Sequence, residues 1–287
     1  MVLTGCGDDV SGQGSLDTEP YVTAGMPYVG AGSGGGTPIE GVAPPPAGVV
    51  VDYQIGGSYP PASDVEVVIR DHSEQPADGV YSICYVNAFQ VQPHEASDWD
   101  ERHPDLILRS ADGESVGDED WGEPLLDIST SAKRVRLVEI VDGWLADCAE
   151  RGFRAVEPDN LDSWTRSSGL LNRDDAVEYG RLVVERAHTR GLAVAQKNAA
   201  ELTGDEIRRI GFDFAIAEDC QRYSWGRLSE CDRYLAMYGD RVIEIEYTDG
   251  SGAFDAACRA RGGRISILLR DRDVVPGGEP GYVSRNC

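Results

Sequence analysis

Polar side chains with acid or base chemistry follow most of the short apolar runs in this 287-residue sequence. Such runs are typical of buried β-strands, and the carboxyl ends of parallel strands are where α/β barrels build their sites. These polar residues are Asn87, Asp127, Glu157, Asp159, Asn160, Lys197, Asn198, Glu218, Asp219, Glu244, Glu246, Tyr247, Arg270 and Asp271. Two carboxyl groups can hydrolyse a glycosidic bond, because one protonates the leaving oxygen while the other attacks the anomeric carbon or activates a water.

Three other kinds of function are disfavoured by the motifs that the sequence lacks and by its net charge. None of the four histidines (His72, His94, His103 and His188) lies at the end of a predicted strand, which argues against a histidine-ligated metal site. No Gly-x-Ser-x-Gly motif is present to place a serine nucleophile. The net charge of −24 disfavours nucleic acid as a partner, since phosphate binding needs basic patches. The residues therefore favour a glycosidic-bond hydrolase that uses no metal and no organic cofactor.

The segment from Glu157 to Asp162 holds three carboxylates within six residues. Strand alternation puts Glu157 and Asp159 on one face, with Val156 on the other face against the helices. Pro158 has no N–H to donate, which suits the end of a strand that turns into a loop. Each of these acids could instead form an ion pair or cap the next helix, and Glu157 and Asp162 compete with Asp159 for a catalytic role.

Eight predicted strands alternate with helical patterns from Val50 onward. The strands are Val50–Ile55, Val80–Asn87, Leu125–Ile128, Arg154–Glu157, Ala193–Lys197, Phe212–Ala217, Val242–Tyr247 and Arg264–Leu269. The helices are Lys133–Arg151, Arg173–Arg190, Asp205–Ile210, Gly226–Tyr238 and Ala253–Arg261, and most of them end at a glycine. This alternation predicts one (β/α)8 TIM barrel. A doubly wound sheet is the second choice, although the Gly-rich phosphate loop that it requires is missing. Residues 89–122 fit no element and predict a long acidic loop.

The first 48 residues have a different composition from the rest. Residues 7–48 are rich in Gly, Ser, Pro and acidic residues, which predicts a disordered tether before a catalytic domain at residues 49–287. Leu3-Thr4-Gly5-Cys6 resembles the lipobox of bacterial lipoproteins and predicts lipidation of Cys6. A disordered tail with a chance cysteine is the alternative. No run of 18 apolar residues is present, so this lipid anchor is the one predicted membrane contact.

The other six cysteines are expected to include disulfides, which survive outside the cell. Cys220 and Cys231 are close in sequence and are expected to pair, and Cys258 can join Cys287 at the C-terminus. Cys84 lies in an apolar strand, where it is expected as a buried thiol or as the partner of a helical cysteine, Cys148.

A set of motifs resembles glycoside hydrolase family 114. The motifs are Tyr53-Gln54-Ile55, Ile83-Cys84-Tyr85, Trp121–Asp127, Glu157–Asp162, Gln196-Lys197-Asn198, Phe212–Cys220 and Glu246-Tyr247. The resemblance implies a (β/α)8 barrel, endo-α-1,4-polygalactosaminidase activity and a retaining mechanism. It also implies that Asp159 is the nucleophile and Glu218 the acid/base, at the ends of the fourth and sixth barrel strands. Because Glu218 shares its strand face with Phe214 and Ile216, alternation predicts that a bulge or strand end must turn it inward.

Other residues of these motifs and strand ends are expected to bind the substrate. They are Tyr53, Asp127, Glu157, Asn160, Asp162, Lys197, Asn198, Glu246 and Tyr247. Deacetylated galactosamine polymers carry ammonium groups, which an acidic cleft attracts. We therefore expect a monomeric enzyme at a bacterial cell surface, lipid-anchored or secreted, that acts on a cationic polysaccharide. A hydrolase of another α-linked glycan and a surface barrel that binds glycan without cutting it are the alternatives.

Overall fold

A computed structural model of the chain describes residues 41–223 and 229–287. The predicted lipidation site Cys6, nearly all of the predicted tether and the predicted helix start at Gly226 lie outside these residues. In the described part of the chain, no helix has both the length and the apolar character needed to cross a membrane.

Eight parallel strands form a barrel in which each strand is hydrogen-bonded to the next barrel strand along the chain. The strands are β1 (Val51–Gln54), β2 (Val67–Asp71), β3 (Tyr81–Asn87), β4 (Ala155–Asp159), β5 (Ala193–Lys197), β6 (Phe214–Glu218), β7 (Val242–Tyr247) and β8 (Ser266–Arg270). A short strand β9 (Ser284–Asn286) runs antiparallel to β8. The predicted (β/α)8 TIM barrel is confirmed.

The seam of the barrel lies between β1 and the β8–β9 pair, and a side chain closes it. The amide of Asn286 donates from Nδ2 to the carbonyl of Val51 and accepts from the N–H of Val51 at Oδ1, both at 3.0 Å. The side chain thereby supplies the donor and acceptor that a neighbouring strand would offer, so the edge of β1 is not left exposed.

The predicted number of eight strands is right, but one predicted strand is wrong and β2 was not predicted. Leu125–Ile128 lies outside the barrel, where it makes isolated antiparallel bridges and packs on the helix side. The apolar run of β2 is short and ends in Arg70 and Asp71, so the sequence pattern did not indicate a strand there. Arg70 is nevertheless buried, because its guanidinium donates to Gln54 and to two backbone carbonyls.

Six α-helices accompany the strands. They are α1 (Ala96–Arg102), α2 (Ser131–Arg151), α3 (Arg173–Thr189), α4 (Gly204–Ile210), α5 (Glu230–Tyr238) and α6 (Ala253–Arg261). Side chains of Thr130, Asn172, Thr203 and Ser229 cap the starts of α2 to α5 by accepting a backbone hydrogen bond. The predicted structureless loop at residues 89–122 is wrong in part, since it contains α1 and one strand of a hairpin that pairs Gly117–Asp118 with Glu123–Pro124.

Two apolar clusters lie on opposite sides of the barrel wall. The interior cluster takes alternate residues from all eight strands, and the other cluster joins the outward residues to the helices. Ala155 belongs to the interior cluster, so Glu157 and Asp159 point inward by alternation. Phe214 and Ile216 are interior too, which carries Glu218 inward without any bulge. The expectation that a bulge is needed is therefore wrong.

Three disulfides join the remaining cysteines. Cys220 pairs with Cys231, and Cys258 pairs with Cys287, as the sequence predicted. Cys84 on β3 pairs with Cys148 on α2, so it is no free thiol. This bridge fixes α2 against β3, the strand that precedes β4 in the barrel.

Candidate active site

A cleft of about 580 Å³ opens at the carboxyl ends of the barrel strands. Its floor is built from strand-end residues, and the hairpin at residues 117–124 forms part of its wall. The strand-end residues that line it include Tyr85, Asp159, Asn160, Asn198, Glu218 and Tyr247. The position agrees with the rule that barrel sites lie at the carboxyl face.

Asp159 ends β4 and faces the cleft with 17% of its side chain exposed. Its Oδ2 accepts a hydrogen bond from the hydroxyl of Tyr85 at 2.8 Å, and its Oδ1 accepts from the backbone N–H of Asn160 at 2.8 Å. Burial and the neighbouring carboxylate raise the pKa of Tyr85 well above its ordinary value, so the phenol stays a donor. Both hydrogen bonds fix the orientation of the Asp159 carboxyl group at the cleft.

Glu218 ends β6 and reaches the same cleft, with 23% of its side chain exposed. Its Oε2 accepts from Nδ2 of Asn198 at 3.0 Å, and its own backbone N–H donates to Oδ1 of Asn198 at 2.8 Å. The hydroxyl of Tyr247 donates to Oε1. Neighbours on both sides thus fix this carboxyl group without closing it off from the cleft.

Lys197 lies on β5, between the strands that carry Asp159 and Glu218, and is 1% exposed. Its Nζ lies 2.8 Å from Glu157, 3.3 Å from Asp159 and 3.4 Å from Glu218. Burial works against the charged ammonium, but the three carboxylates outweigh it and hold the pKa of Lys197 well above its ordinary value. Lys197 was predicted to bind substrate, and the structure places it behind the cleft and not in its lining.

Glu157 and Tyr53 lie inside the barrel beneath Asp159 and Glu218, and both are fully buried. Oε1 of Glu157 accepts from the Tyr53 hydroxyl at 2.9 Å and from Lys197 at 2.8 Å, while its Oε2 finds no hydrogen-bond partner among the described residues. Burial raises the pKa of Glu157 to about 7, against the lowering effect of Lys197. Both residues were predicted to bind substrate, and Glu157 was a rival of Asp159, but neither residue lines the cleft.

The residue after each of the three strand-end groups has a left-handed backbone. Asn160, Asn198 and Asp219 have φ of 67°, 48° and 52°. Asn and Asp tolerate this region better than other non-glycine residues, and such conformations cluster at functional sites. The turn lets the chain leave the strand at once, so that Asp159 and Glu218 are each the last side chain on the inner face.

Two further residues that were predicted to bind substrate lie elsewhere. Asp127 pairs with Lys133 and accepts from the backbone of Ser129 at the start of α2. Glu246 is buried on the helix side of β7, beside Glu244, which faces the same way. Their placement follows from alternation, because Ile245 and Tyr247 occupy the inner face of that strand. Neither of the two residues lines the cleft.

The helix side of β7 also holds a group with the spacing of metal ligands. Among the described residues this group comprises Cys220, Cys231 and Glu244. The two sulfurs are joined in the disulfide, and both oxygens of Glu244 accept hydrogen bonds from Arg261 at 2.6 and 2.9 Å. The group is therefore a buried structural cluster.

The prediction of Asn160 and Asp162 in the cleft agrees with their place in its lining, where both contact Arg166.

Sequence reasoning missed Glu123 on the hairpin, which also lines the cleft. Glu123 accepts from Nδ2 of Asn87 at 2.9 Å and from Nδ2 of Asn160 at 3.3 Å. Burial raises the pKa of Glu123 to about 6, against the hydrogen bond from Asn87. Its position in a matching motif was the one signal for it.

His72 follows β2 directly, so the statement that no histidine lies at a strand end is also wrong. Its ring stacks on Trp144 of α2, with centroids 5.1 Å apart, on the helix side of the wall. It is not part of the cleft lining.

Comparison with known proteins gives one family and many solved structures, two of which are described here. The sequence model of glycoside-hydrolase family GH114 matches residues 37–287. The structure of Aspergillus fumigatus Ega3 in complex with galactosamine is 21% identical, has a TM-score of 0.68, and is matched over 86% of this chain and 98% of that chain. The glycoside hydrolase domain of PelA from Pseudomonas aeruginosa is 17% identical, with a TM-score of 0.53 over 80% of this chain and 97% of that chain. A search of curated proteins gave no match.

Proposed function

Because the chain belongs to glycoside-hydrolase family GH114, we propose that it cuts α-1,4-linked galactosamine-containing polysaccharide within the chain. Asp159 is the nucleophile and Glu218 the acid/base in this proposal. The observation that carries it is that two carboxyl groups from β4 and β6 face one cleft and share the ammonium of Lys197. A barrel that only binds glycan has no need of this pair.

The proposed reaction retains the anomeric configuration. An oxygen of Asp159 attacks the anomeric carbon while the glycosidic bond breaks, and Glu218 gives its proton to the leaving oxygen. Glu218 then takes a proton from the water that attacks the same carbon, and Asp159 leaves.

The spacing of the two groups allows retention. The oxygens of Asp159 and Glu218 nearest to Lys197 both lie within 3.4 Å of its nitrogen, so they are no farther apart than twice that distance. Carboxyl groups are about 5–5.5 Å apart in retaining enzymes and about 6.5–9.5 Å apart in inverting ones. The largest possible distance between these two oxygens lies at the lower edge of the range for inverting enzymes.

The charge of the cleft supports an amino sugar as substrate. Its lining contains eight acidic residues and two arginines. The acidic residues are Asp71, Glu74, Asp118, Glu123, Asp159, Asp162, Glu218 and Asp273, and the arginines are Arg166 and Arg272. Such a cleft attracts a polymer with free ammonium groups and favours it over the acetylated form. The galactosamine in the complex of the fold neighbour Ega3 supports the same choice.

The test is product release from partly deacetylated α-1,4-galactosaminogalactan by wild type, Asp159→Asn and Glu218→Gln. The wild type should release oligomers, and both variants should lose at least about 100-fold in kcat while staying folded. Glu185→Gln, which changes an exposed carboxylate on α3, is the matched control and should cut like the wild type. Release of single sugars from chain ends would overturn endo action, and binding without release from the wild type would favour the glycan-binding alternative.

Salt and acetylation test the cationic substrate separately. The rate on the deacetylated polymer should fall as ionic strength rises, because screening weakens the attraction. Equal rates on fully acetylated and deacetylated chains would contradict the proposal and favour another α-linked glycan.

We also infer that the enzyme acts outside the cell as a monomer, with residues 1–48 as a tether, residues 49–287 as the catalytic domain and Cys6 as the lipidated residue. The three disulfides support an oxidising location. Expression of the natural protein in a bacterial host with labelled fatty acid should label the wild type and not Cys6→Ser. Label on both proteins would overturn the assignment of Cys6.

A further inference from the structure

We infer that Lys197 is a positioning residue, whose positively charged ammonium holds the carboxyl groups of Asp159 and Glu218 at a fixed spacing. The inference rests on the proposed function, because it takes these two groups as the catalytic pair. It gives a role to a buried lysine that was expected to bind the substrate.

The ammonium donates hydrogen bonds to Glu157 and Tyr53, and its burial keeps it from a sugar. A lysine ammonium has three N–H donors, and carboxylate oxygens of Glu157, Asp159 and Glu218 lie within 3.4 Å of its nitrogen. The hydroxyl of Tyr53 lies 3.2 Å away on the buried side. With 1% of its surface exposed, Lys197 acts on the reaction only through the carboxylates.

The place of Lys197 in the barrel suits a spacer. It ends β5, the strand between those that carry Asp159 and Glu218, and the nitrogen lies 5.7 Å from the ring centres of Tyr53 and Tyr85. These rings leave a bulky side chain little room to move. The ammonium therefore bridges two strands that have no direct hydrogen bonds to each other.

Glu157 keeps the lysine in place from below. It is the nearest of the three carboxylates, it is fully buried, and it lies on β4 one inward position before Asp159. Its hydrogen bond from Tyr53 orients the oxygen that accepts from Lys197. Glu157 thus fixes the position of the Lys197 ammonium and does not contact the substrate.

The ionisable groups around the ammonium come from five strands. They are Tyr53 of β1, Tyr85 of β3, Glu157 and Asp159 of β4, Glu218 of β6 and Tyr247 of β7. Burial holds the pKa of each of these tyrosines well above its ordinary value, so they stay neutral and the carboxylates carry the negative charge. Without Lys197, these carboxylates would repel one another at close range.

The effect of losing the ammonium can be given a size. An opposite charge within about 4–6 Å favours ionisation of a carboxyl group by about 1–3 pH units. Lys197→Met keeps the length of the side chain and removes its charge, so the acid limb of the kcat/KM profile should move up by about 1–3 pH units. Misplacement of a reacting group by about 1 Å can cost about 100-fold, and we expect a loss of that order in kcat. KM should change by less than about threefold, since the lysine does not touch the sugar.

Lys197→Met leaves Glu157 buried without its cation and can unfold the protein. The double variant Glu157→Gln/Lys197→Met removes both charges and should regain stability, measured by denaturant unfolding, while kcat stays low. Recovery of kcat along with stability would mean that the lysine is merely structural and would overturn the inference.

A readout that needs no substrate separates this inference from the proposed function. Carbon-13 NMR of labelled Asp and Glu side chains should show the titration midpoints of Asp159 and Glu218 rising by about 1–3 pH units in the double variant. If the wild type cuts no galactosamine polymer, the proposed function fails while this titration still decides the role of Lys197. Unchanged midpoints, or a loss of activity carried by KM alone, would overturn the inference.

Discussion

Glu157→Gln should make the stability of the protein less sensitive to pH, because the buried carboxyl group keeps its proton in the fold far above its ordinary range. The fully buried side chain has one oxygen that accepts from Tyr53 and Lys197 and one that finds no partner among the described residues. Glutamine keeps the size and the carbonyl acceptor of the side chain but has no acidic proton to lose.

The magnitude follows from the pKa of Glu157, which burial raises from 4.5 to about 7. Each pKa unit is worth about 1.36 kcal/mol, so the retained proton stabilises the fold by on the order of 3 kcal/mol. A raised folded-state pKa gives stability that is fully present below about pH 4.5 and is lost as the pH rises through about 7. The wild type loses this contribution across that window, and the variant has none to lose.

The assay is denaturant unfolding of both proteins at about pH 4 and pH 8, followed by circular dichroism with the disulfides intact. The unfolding free energy of the variant minus that of the wild type should increase by on the order of 3 kcal/mol from the lower to the higher pH. Glu185→Gln is the exposed control and should show a constant difference. The same constant difference for Glu157→Gln would refute the reasoning, because it would mean that Glu157 ionises alike in the folded and unfolded chain.

Three further predictions concern substrate binding and the barrel frame. Trp121→Ala should raise KM roughly two- to tenfold with little change in kcat, because the ring is 57% exposed in the cleft and offers a face to a sugar; steady-state kinetics check this. Replacing Cys84 and Cys148 together by Ala should lower the free energy of unfolding by about 2–5 kcal/mol in a denaturant titration, since β3 and α2 lose their bridge. Asn286→Ala removes both side-chain hydrogen bonds to Val51 at the seam and should cost about 1–3 kcal/mol in the same titration.

The direction of Glu218 shows what alternation alone can and cannot predict in a barrel. Both faces of a parallel barrel strand are apolar, because one packs inside and the other against helices. Alternation therefore groups Glu218 with Phe214 and Ile216 correctly, but it does not say which group points inward. The sizes decide it: Phe214 and Ile216 fill the barrel, while Ala215 and Ala217 leave room for the helices.

The strand predictions failed where local sequence resembles a strand for another reason. Leu125, Leu126 and Ile128 are buried by long-range packing on the helix side, and an apolar run of that length cannot be told from a barrel strand by pattern. Conversely, β2 contains Arg70, whose burial is possible because three acceptors meet its guanidinium. Neither set of partners can be read from neighbouring residues.

A strand-end position turned out to be neither necessary nor sufficient for a place in the site. Glu246 is one residue from the end of β7, yet Tyr247 takes the inner face and leaves the glutamate outside. Glu123 reaches the cleft from an inserted hairpin, where no strand-end rule applies. The resemblance of whole motifs pointed to Asp159 and Glu218, which both line the cleft, because it compares positions and not only patterns.

The inner face of the barrel changes from apolar to charged within the last two inward positions of β4, and this explains why one lysine can serve three carboxylates. Ala155, Ala193 and Ala195 are small and apolar, which leaves space in the lower layers for Tyr53 and Phe214. The packed base excludes water from below, so an ion pair at Glu157 and Lys197 is weakly screened. Removing a charge from that layer therefore changes the electrostatic potential at Asp159 and Glu218 more strongly than removing a charge from an exposed rim residue, where solvent screens the effect. Stability should therefore depend on whether Glu157 and Lys197 are changed together, and activity on whether the ammonium is present at all.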